Sequence, residues 1–361
     1  MNTPLFWPQQ YKSEWLESLA QVFDTRWLGQ GPLADRFEKE FGEKFGYEYC
    51  LSVNSGSAAL ELAYHLAGIG AGDEVITPVL TCTATNLPLL RRGASIIFAD
   101  INDNLVIDYN DVAKKVTPKT KAIVVVTLGG LPVDERIFNL AESFNIPVIV
   151  DAAQSLGISE TRGEYICYSF QAIKHFTTGD GGMLIVKNEE EYKRAKKLRW
   201  FGIDREAKNR VDFNCLVNRE ITMDIEEPGF KYHMADIVAA LGLVGLRHTD
   251  EILNYRKKIC EYYAKNMPAN IKCIYGGSYW LFAILTKNRN ATLESLRSSG
   301  VECDLVQLRN DIFKVFGGKR QDLPNMNRIE NEYMYIPLHG KITHEDADRV
   351  VNFLYKQYEN N

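Results

Sequence analysis

The sequence lacks the features that mark nucleic-acid-binding and membrane-spanning proteins. Its 361 residues carry a formal net charge of −5 and contain no basic run interleaved with aromatic residues, so no electrostatic case for nucleic acid exists. No apolar run reaches about 18 residues, the length of a membrane span. The first residues, MNTPLFWPQQYKSEW, have no basic end followed by an apolar stretch, and we expect no signal peptide.

Patterns for disulfides and metals are missing too. The seven cysteines are scattered, odd in number and without a CxxC spacing, which favours reduced thiols in a cytoplasmic protein. The six histidines form no HExxH motif or similar ligand cluster, so we expect no metal. What remains is a chain of ordinary globular composition, 45% hydrophobic and 25% charged.

The first half of the chain contains short apolar runs that alternate with helical patterns. The runs at 121–130 and 146–154 are continuous and β-branched, as in strands buried on both faces of a parallel sheet. A helical pattern at 134–145 between them is typical of the crossover helix of a βαβ unit. Further strands are predicted at 73–81, 95–101 and 182–188, and a helix at 58–70.

The length of the chain exceeds one compact core and predicts two domains. A long helical pattern at 233–267 leads out of the first domain, and shorter strand and helix patterns follow it. We therefore predict an α/β fold. A large domain at 1–245 has a mixed, mostly parallel sheet flanked by helices, and a smaller C-terminal α/β domain occupies 246–361.

Three stretches carry residues suited to chemistry, and each also has a plain structural interpretation. Ser57 in VNSGSAAL favours a helix start whose free N–H groups bind an anion, or it belongs to an ordinary capped helix. Asp151 ends an apolar run, where ligands of open α/β sheets bind, or it caps the next turn. Lys174, before the turn TTGDGG, is a solvated charge or a nucleophile beside a pocket.

The co-occurrence of these features points to pyridoxal phosphate (PLP). The phosphate of PLP needs N–H and hydroxyl donors, its ring nitrogen needs a carboxylate, and its aldehyde needs a lysine. An anion-binding helix start, Asp151 and Lys174 supply all three, and Gln154 adds a neutral donor and acceptor. The sequence therefore predicts a PLP site.

With these motifs the chain resembles the DegT/StrS group of PLP-dependent sugar aminotransferases, of fold type I. The resemblance covers nearly the whole chain. The matching stretches are WLGQGPLADRFEKEF (27–41), NSGSAALELA (54–63), GDEVITP (72–78), DAAQSLG (151–157), SFQAIKHFTTGDGGML (169–184), GFKYHMADIVAALG (229–242) and YIPLHGKITHEDADRVV (335–351).

The resemblance implies a role for each matching residue. Lys174 is the Schiff-base lysine and shuttles a proton between the substrate carbon and the cofactor carbon. Asp151 pairs with the pyridinium nitrogen, and Gln154 binds the ring hydroxyl. The implied phosphate contacts are Gly56, Ser57, the backbone of Ala58, and Ser169.

The resemblance also implies substrates and an assembly. The donor is L-glutamate, and the acceptor is a keto-sugar, most often nucleotide-linked. The product is a 3- or 4-amino-deoxy sugar for lipopolysaccharide O-antigen or related polysaccharides. A homodimer with shared active sites is expected. Trp27 and Gln30 are candidates for the acceptor site. Arg309 and Asn310 are candidates for a substrate carboxylate, phosphate or hydroxyl, or they form a salt bridge within a loop.

Three departures from the family pattern stand out. Cys82 occupies the position where relatives often stack an aromatic residue on the cofactor ring; it contacts the ring or is simply a small buried residue. Lys231 and His233 stand where relatives commonly have Asn and Arg in a segment that reaches the partner's phosphate, and a lysine still serves a phosphate. The loop between Asp151 and Lys174 is short, which we expect to trim the surface near the pocket.

His175 bears on a second enzymatic hypothesis. Related sugar dehydratases carry histidine in place of the lysine, whereas here Lys174 is present and the histidine comes one position later, which favours aminotransfer. His175 is then part of the structure or the pocket wall, or a second base. A third hypothesis, an inactive PLP-fold regulatory protein, is opposed by the intact set Asp151, Gln154 and Lys174.

Overall fold

A computed structural model describes residues 2–158, 162–205 and 225–359. The strands are β1 Tyr49–Val53, β2 Glu74–Pro78, β3 Ser95–Ala99, β4 Thr120–Val126, β5 Val148–Asp151, β6 Tyr165–Ser169, β7 Gly182–Val186, β8 Lys272–Ile274, β9 Phe282–Leu285 and β10 Tyr333–Ile336. The helices are α1 Lys12–Phe23, α2 Pro32–Phe45, α3 Gly56–Leu66, α4 Thr83–Arg91, α5 Tyr109–Lys115, α6 Arg136–Ser143, α7 Glu189–Leu198, α8 Asp236–Arg247, α9 Thr249–Asn266, α10 Arg289–Ser298, α11 Pro324–Ile329 and α12 His344–Glu359. None of the helices in these ranges is long and apolar enough to cross a membrane.

The larger sheet has seven strands in the order β1-β7-β6-β5-β4-β2-β3. Strands β2 to β6 pair in parallel, whereas β7 runs antiparallel to both β6 and β1. Along β4, Ile123 and Val125 join one apolar cluster, while Ala122 and Val124 join the cluster on the opposite face. The sheet is therefore buried on both sides, as the continuous apolar runs predicted.

The smaller sheet lies in the C-terminal part of the chain. Its strands β10, β9 and β8 pair antiparallel, and residues of α9, α10 and α12 share an apolar cluster with them. The mixed, mostly parallel sheet with helices and a second small α/β unit confirms the predicted fold class.

The observed element bounds correct several predictions. Strand β4 ends at Val126, because the chain then turns through Leu128–Gly130, where Gly129 and Gly130 adopt left-handed conformations with φ of 68° and 90°. The pattern at 233–267 is two helices, since the backbone leaves helical geometry at His248.

The domain boundary at residue 245 stays a prediction. That residue lies inside α8, near its end. The start of the chain lies with the C-terminal part, since Thr3 forms a bridge with Val301 and the N–H of Leu5 donates to Glu302.

A buried ion pair fixes the edge strand β1. The Arg199 side chain, 2% exposed, donates to Glu38 Oε1 at 2.5 Å and to the carbonyl of Ser52 at 2.8 Å. Glu38 Oε1 also accepts from the N–H and the hydroxyl of Ser52. These bonds join α2, β1 and the C-terminal end of α7.

We expect Glu38→Ala to destabilise the fold by about 3–5 kcal/mol, because it leaves the Arg199 charge buried without a counterion. The measurement is denaturant unfolding. Glu43→Ala on the same helix is the control: Glu43 is exposed and pairs only loosely with Lys39, so its removal costs at most about 0.5 kcal/mol. Equal losses in the two variants would show that the buried pair has no special weight.

Candidate active site

Asp151 is the last residue of β5 and is almost completely buried. Its Oδ2 accepts a hydrogen bond from the Thr85 hydroxyl at 2.7 Å, and its Oδ1 accepts from the N–H of Ala153 at 3.1 Å. Burial raises the pKa of the carboxyl, while these two hydrogen bonds and the charge of Lys174 act to lower it. The carboxylate is thus held in one orientation at the carboxyl end of the parallel strands.

Lys174 lies in the turn after β6 and is half-buried. Its N–H bonds back to the carbonyl of Gln171 at 2.9 Å, and its Nζ lies 4.2 Å from the centroid of the Trp280 ring. Burial lowers the pKa of the amine to about 8, although the nearby Asp151 and Cys82 oppose that shift. Near neutral pH the neutral form of the amine is therefore more accessible than in a free lysine.

The start of α3 forms a narrow seat for an anion. Ser55, not Ser57, caps the helix: its Oγ accepts from the N–H of Ala58 at 3.1 Å. The Ala58 N–H is therefore already engaged, which leaves the N–H groups of Gly56 and Ser57 for a ligand. Ser169, at the end of β6, lies directly against Gly56, since a Cβ on Gly56 would come within 2.8 Å of the Ser169 Cβ.

We expect Gly56→Ala to weaken PLP binding about five- to a hundredfold, because overpacking by one methyl group costs roughly 1–3 kcal/mol. The added carbon would push Ser169 away from the seat. A titration of cofactor-free protein with PLP measures the effect. Gly70→Ala is the control, since a Cβ at Gly70 meets nothing within 4 Å. Unchanged affinity in Gly56→Ala would contradict the assignment of this seat.

Gln154 is buried close to Asp151. Its Oε1 accepts from the N–H of Gly129 at 2.6 Å, and its backbone carbonyl accepts from the Ser278 hydroxyl at 2.8 Å. The bond from Gly129 fixes the orientation of the amide and leaves its Nε2 as a donor. That donor suits the ring oxygen of PLP.

These residues fit PLP by the chemistry of their donors and acceptors. An anion seat, a buried carboxylate and an amine of lowered pKa are brought to the same edge of the sheet, together with the Gln154 amide. Each matches a different part of the cofactor. The roles of the individual residues remain a proposal.

Cys82 and His175 differ in their surroundings. Cys82 is half-buried at the N-terminus of α4. It lies close enough to Lys174 to act against the lowering of the lysine's pKa. His175 is 1% exposed, and burial, followed by the charge of Arg256, holds its pKa well below the usual range. Its Nε2 lies 2.8 Å from the carbonyl of Ser278 and therefore donates to it. The ring is neutral and its Nε2 is engaged in the structure, which favours the wall interpretation over a second base.

Lys231 and His233 lie beside the end of β1. His233 forms a bridge with Val53, and the Lys231 amine lies 3.4 Å from the centroid of the Trp200 ring. Burial and the charge of Lys231 lower the pKa of His233 to about 4, and its buried Nδ1 has no partner within the described ranges. A contact of Lys231 with a partner's phosphate stays a prediction.

The two predicted acceptor residues lie in different surroundings: Trp27 lines a separate cavity, and Gln30 bonds to Arg205, which shares the Trp200 ring with Lys231. Trp27, 39% exposed, lines a cavity of about 400 Å³ between α1, α2 and α8. Glu14, Arg36 and Arg247 line the same cavity, and none of the proposed cofactor residues does. The Gln30 Oε1 accepts from Arg205 at 2.9 Å. The cavity gives no support to a role of Trp27 in acceptor binding, and the role of Gln30 stays a prediction.

Arg309 and Asn310 are buried and already bonded. Arg309 forms ion pairs with Asp311 and Glu330 at 2.7 and 3.0 Å. Asn310 donates to the carbonyl of Thr81 at 2.7 Å and accepts from Asn86 at 2.9 Å. The salt-bridge interpretation describes Arg309, and we leave both residues out of the proposed site.

Several residues of the site were not found from the sequence. Thr85 and Thr127 hold Asp151 through its carboxylate and its carbonyl, and Trp280 contacts the Lys174 amine. The threonines Thr81 and Thr85, four apart at the start of α4 and hydrogen-bonded at 2.9 Å, offered a signal that polar groups face the sheet there. Nothing in the local sequence signals Trp280, because it lies about a hundred residues further along the chain than Lys174.

Comparison with known proteins gives a consistent picture. The sequence profile of the DegT/DnrJ/EryC1/StrS aminotransferase family matches residues 9–355. Spore coat polysaccharide biosynthesis protein SpsC of Bacillus subtilis (strain 168) is 32% identical in an alignment of 364 positions, gaps included, that covers 94% of this chain and 92% of SpsC. The aminotransferase TlmJ from Streptoalloteichus hindustanus is 27% identical, with a TM-score of 0.90 over 100% of both chains. The PLP form of the putative sugar aminotransferase Spr1654 from Streptococcus pneumoniae is 25% identical, with a TM-score of 0.90 over 100% of this chain and 99% of Spr1654.

Proposed function

Because the chain belongs to the DegT/DnrJ/EryC1/StrS aminotransferase family, and is thus a PLP-dependent sugar aminotransferase, we propose that it moves an amino group from L-glutamate to a keto-sugar. We propose further that the sugar is linked to a nucleotide and is aminated at carbon 3 or 4. The observation that carries the proposal is that Asp151 ends β5 and Lys174 follows the adjacent parallel strand β6, so that both lie at one edge of the sheet.

PLP, when bound, supplies an aldehyde for amino groups and a ring that accepts electrons. Asp151 holds a proton on the ring nitrogen, and its fixed orientation comes from Thr85 and Ala153. Lys174 takes and returns a proton at Nζ, a task for which an amine with a pKa of about 8 is well suited near neutral pH. The burial of Asp151 keeps that carboxylate away from bulk water.

The phosphate-binding role falls to the seat at the start of α3. The N–H groups of Gly56 and Ser57 lie at the positive end of the helix, and the hydroxyls of Ser57 and Ser169 add donors. Close packing of Gly182 on Ser55, where an added Cβ would lie 2.6 Å from the Ser55 carbonyl carbon, keeps the seat rigid. A rigid seat fixes the cofactor relative to Lys174.

We propose a homodimer as the working form. Large apolar side chains on and after α1 are exposed, namely Leu16 at 59%, Phe23 at 62% and Leu28 at 48%. Such a concentration of exposed apolar surface is typical of an interface. In this arrangement Lys231 of one subunit serves the phosphate bound to the other.

The product is proposed to feed cell-surface polysaccharide synthesis. The support is the name of SpsC, which assigns that relative to spore coat polysaccharide biosynthesis. Lipopolysaccharide O-antigen is one such polysaccharide.

The test is a screen of nucleotide-linked keto-sugars with L-glutamate, read by mass spectrometry, with Lys174→Ala protein as the blank. We expect one acceptor to gain an amino group while an equal amount of 2-oxoglutarate forms. A deoxy keto-sugar formed without 2-oxoglutarate would instead identify a dehydratase. Cofactor-loaded protein that converts none of these sugars, nor the same keto-sugars added without a nucleotide in a second screen, would favour the inactive regulatory protein.

A further inference from the structure

The Lys174 amine rests on the face of a tryptophan from the C-terminal part of the chain. We propose that Trp280 is a positioning residue for Lys174: its indole face holds the ammonium form of the side chain at the site and releases it when the proton leaves. The proposal rests on the proposed function only in taking Lys174 as the reacting amine.

The indole ring is fixed on several sides. Trp280 is 1% exposed, and its Nε1 donates to the carbonyl of Ile173 at 3.2 Å. The backbone N–H of Trp280 donates to the carbonyl of Gly129 at 3.1 Å. Its ring stacks on that of Phe6, with 5.8 Å between the ring centroids. A ring bonded in this way cannot turn aside, so the amine of Lys174 meets its face and not its edge.

The turn that delivers Trp280 is itself held in place against strain. Gly277 and Tyr279 have positive φ values of 56° and 55°, and for a tyrosine this conformation costs free energy. The N–H of Ser278 donates to the carbonyl of Gly130, and the buried Arg256 donates to the carbonyls of Tyr279 and Trp280 at 3.3 and 3.0 Å. Such local strain persists only where the surroundings determine the conformation.

The Lys174 amine is close enough to the Trp280 indole for the ring to stabilise its charged form. Its Nζ lies 4.2 Å from the ring centroid, within the range of about 6 Å in which a cation is attracted by an indole face. The other groups that act on it are Asp151 and Cys82, which favour the charged form, and His175, which is neutral. Burial alone favours the neutral amine, so the indole, like Asp151, counteracts burial.

The experiment uses cofactor-free protein and a general acetylating reagent. The acetylation rate of Lys174 is followed as a function of pH by mass spectrometry of its peptide. Protein made with 5-fluorotryptophan keeps the ring shape and weakens the negative charge of its face. We expect Lys174 at pH 7 to react about twofold faster in the fluorinated protein, because the ammonium form loses part of its stabilisation.

Two tryptophan variants show which indole ring causes the change in the acetylation rate of Lys174. In Trp280→Phe protein, fluorination of the remaining tryptophans should leave the Lys174 profile unchanged. Trp200→Phe protein lacks the tryptophan under Lys231, and in it the twofold effect of fluorination should persist. This variant provides the check if Trp280→Phe does not fold. Lys39, which is exposed and lies 3.8 Å from Glu43, is the internal reference in every digest.

Two outcomes overturn the proposal. One is a Lys174 profile that fluorination does not move. The other is an equal shift in the Trp280→Phe background, which would place the cause elsewhere. Neither outcome bears on the proposed function, since acetylation reads the amine whether or not the protein transfers amino groups.

Discussion

We expect Lys174→Ala to lower the rate of amino transfer by at least about 10⁴-fold, because both covalent attachment of PLP and proton transfer at Nζ are lost. The variant should also lose the absorption band near the visible edge that marks lysine-bound PLP. Initial rates with glutamate and the accepted keto-sugar, together with an absorption spectrum, measure both effects. A variant that turned over at the wild-type rate would remove Lys174 from the mechanism.

The matched control for this lysine is Lys187→Ala. Lys187 follows β7 and forms an ion pair with Glu164 at 2.9 Å, with 42% of its side chain exposed. Lys187 is thus next to a strand of the same sheet but exposed to solvent. A surface ion pair of this kind contributes about 0–1 kcal/mol to the free energy of unfolding. We expect its rate and its spectrum to remain those of the wild type.

We expect Asp151→Asn to lower the rate about 10²- to 10⁴-fold while the fold is retained. The asparagine still accepts from the Thr85 hydroxyl, so the position of the side chain is kept. What is lost is the negative charge that holds a proton on the ring nitrogen, and with it the ability of the ring to accept electrons. Rate measurements at saturating PLP separate this loss from weaker cofactor binding.

Asp100→Asn is the control for removing a buried carboxylate. Asp100 follows β3, is 4% exposed, and accepts from the N–H groups of Asn325 and Met326 at 2.8 Å at the start of α11. We expect this variant to lose stability, since charge-assisted hydrogen bonds are each worth about 1.5–3 kcal/mol. Its catalytic rate per folded molecule should not change. If it fell as far as in Asp151→Asn, the loss in the latter would reflect folding and not chemistry.

The sequence was enough to place Asp151 and Lys174 near each other, and their roles toward the cofactor stay a proposal. Asp151 was found because it ends a continuous apolar run, and Lys174 because it follows a short strand and precedes a turn rich in glycine. Both signals are local. The ends of parallel strands meet at one edge of a sheet by geometry, so a local signal is enough to place these residues together.

Residues whose role depends on distant contacts could not be predicted. Ser57 lies in the first turn of α3 as expected, but the capping side chain is that of Ser55, because two serines in one short stretch are equivalent until the backbone is known. Arg309 was a candidate for substrate binding, yet its partners Asp311 and Glu330 hold it within the fold. Trp280 was missed because no sequence pattern records that the turn before β9 packs against the turn after β6.

The antiparallel strand β7 has a consequence for the order in which the protein assembles. Among the strands that the structure describes, β1 is paired with β7, and its further bridge from Val53 goes to the later residue His233. During synthesis these partners of β1 are therefore missing until the chain has reached β7. The start of α3, which follows β1 directly, therefore cannot acquire its final surroundings early. Pairing over so long a sequence separation slows folding and leaves β1 exposed to wrong partners in the meantime. The anion seat is thus among the last parts of the large sheet to form in a newly made chain.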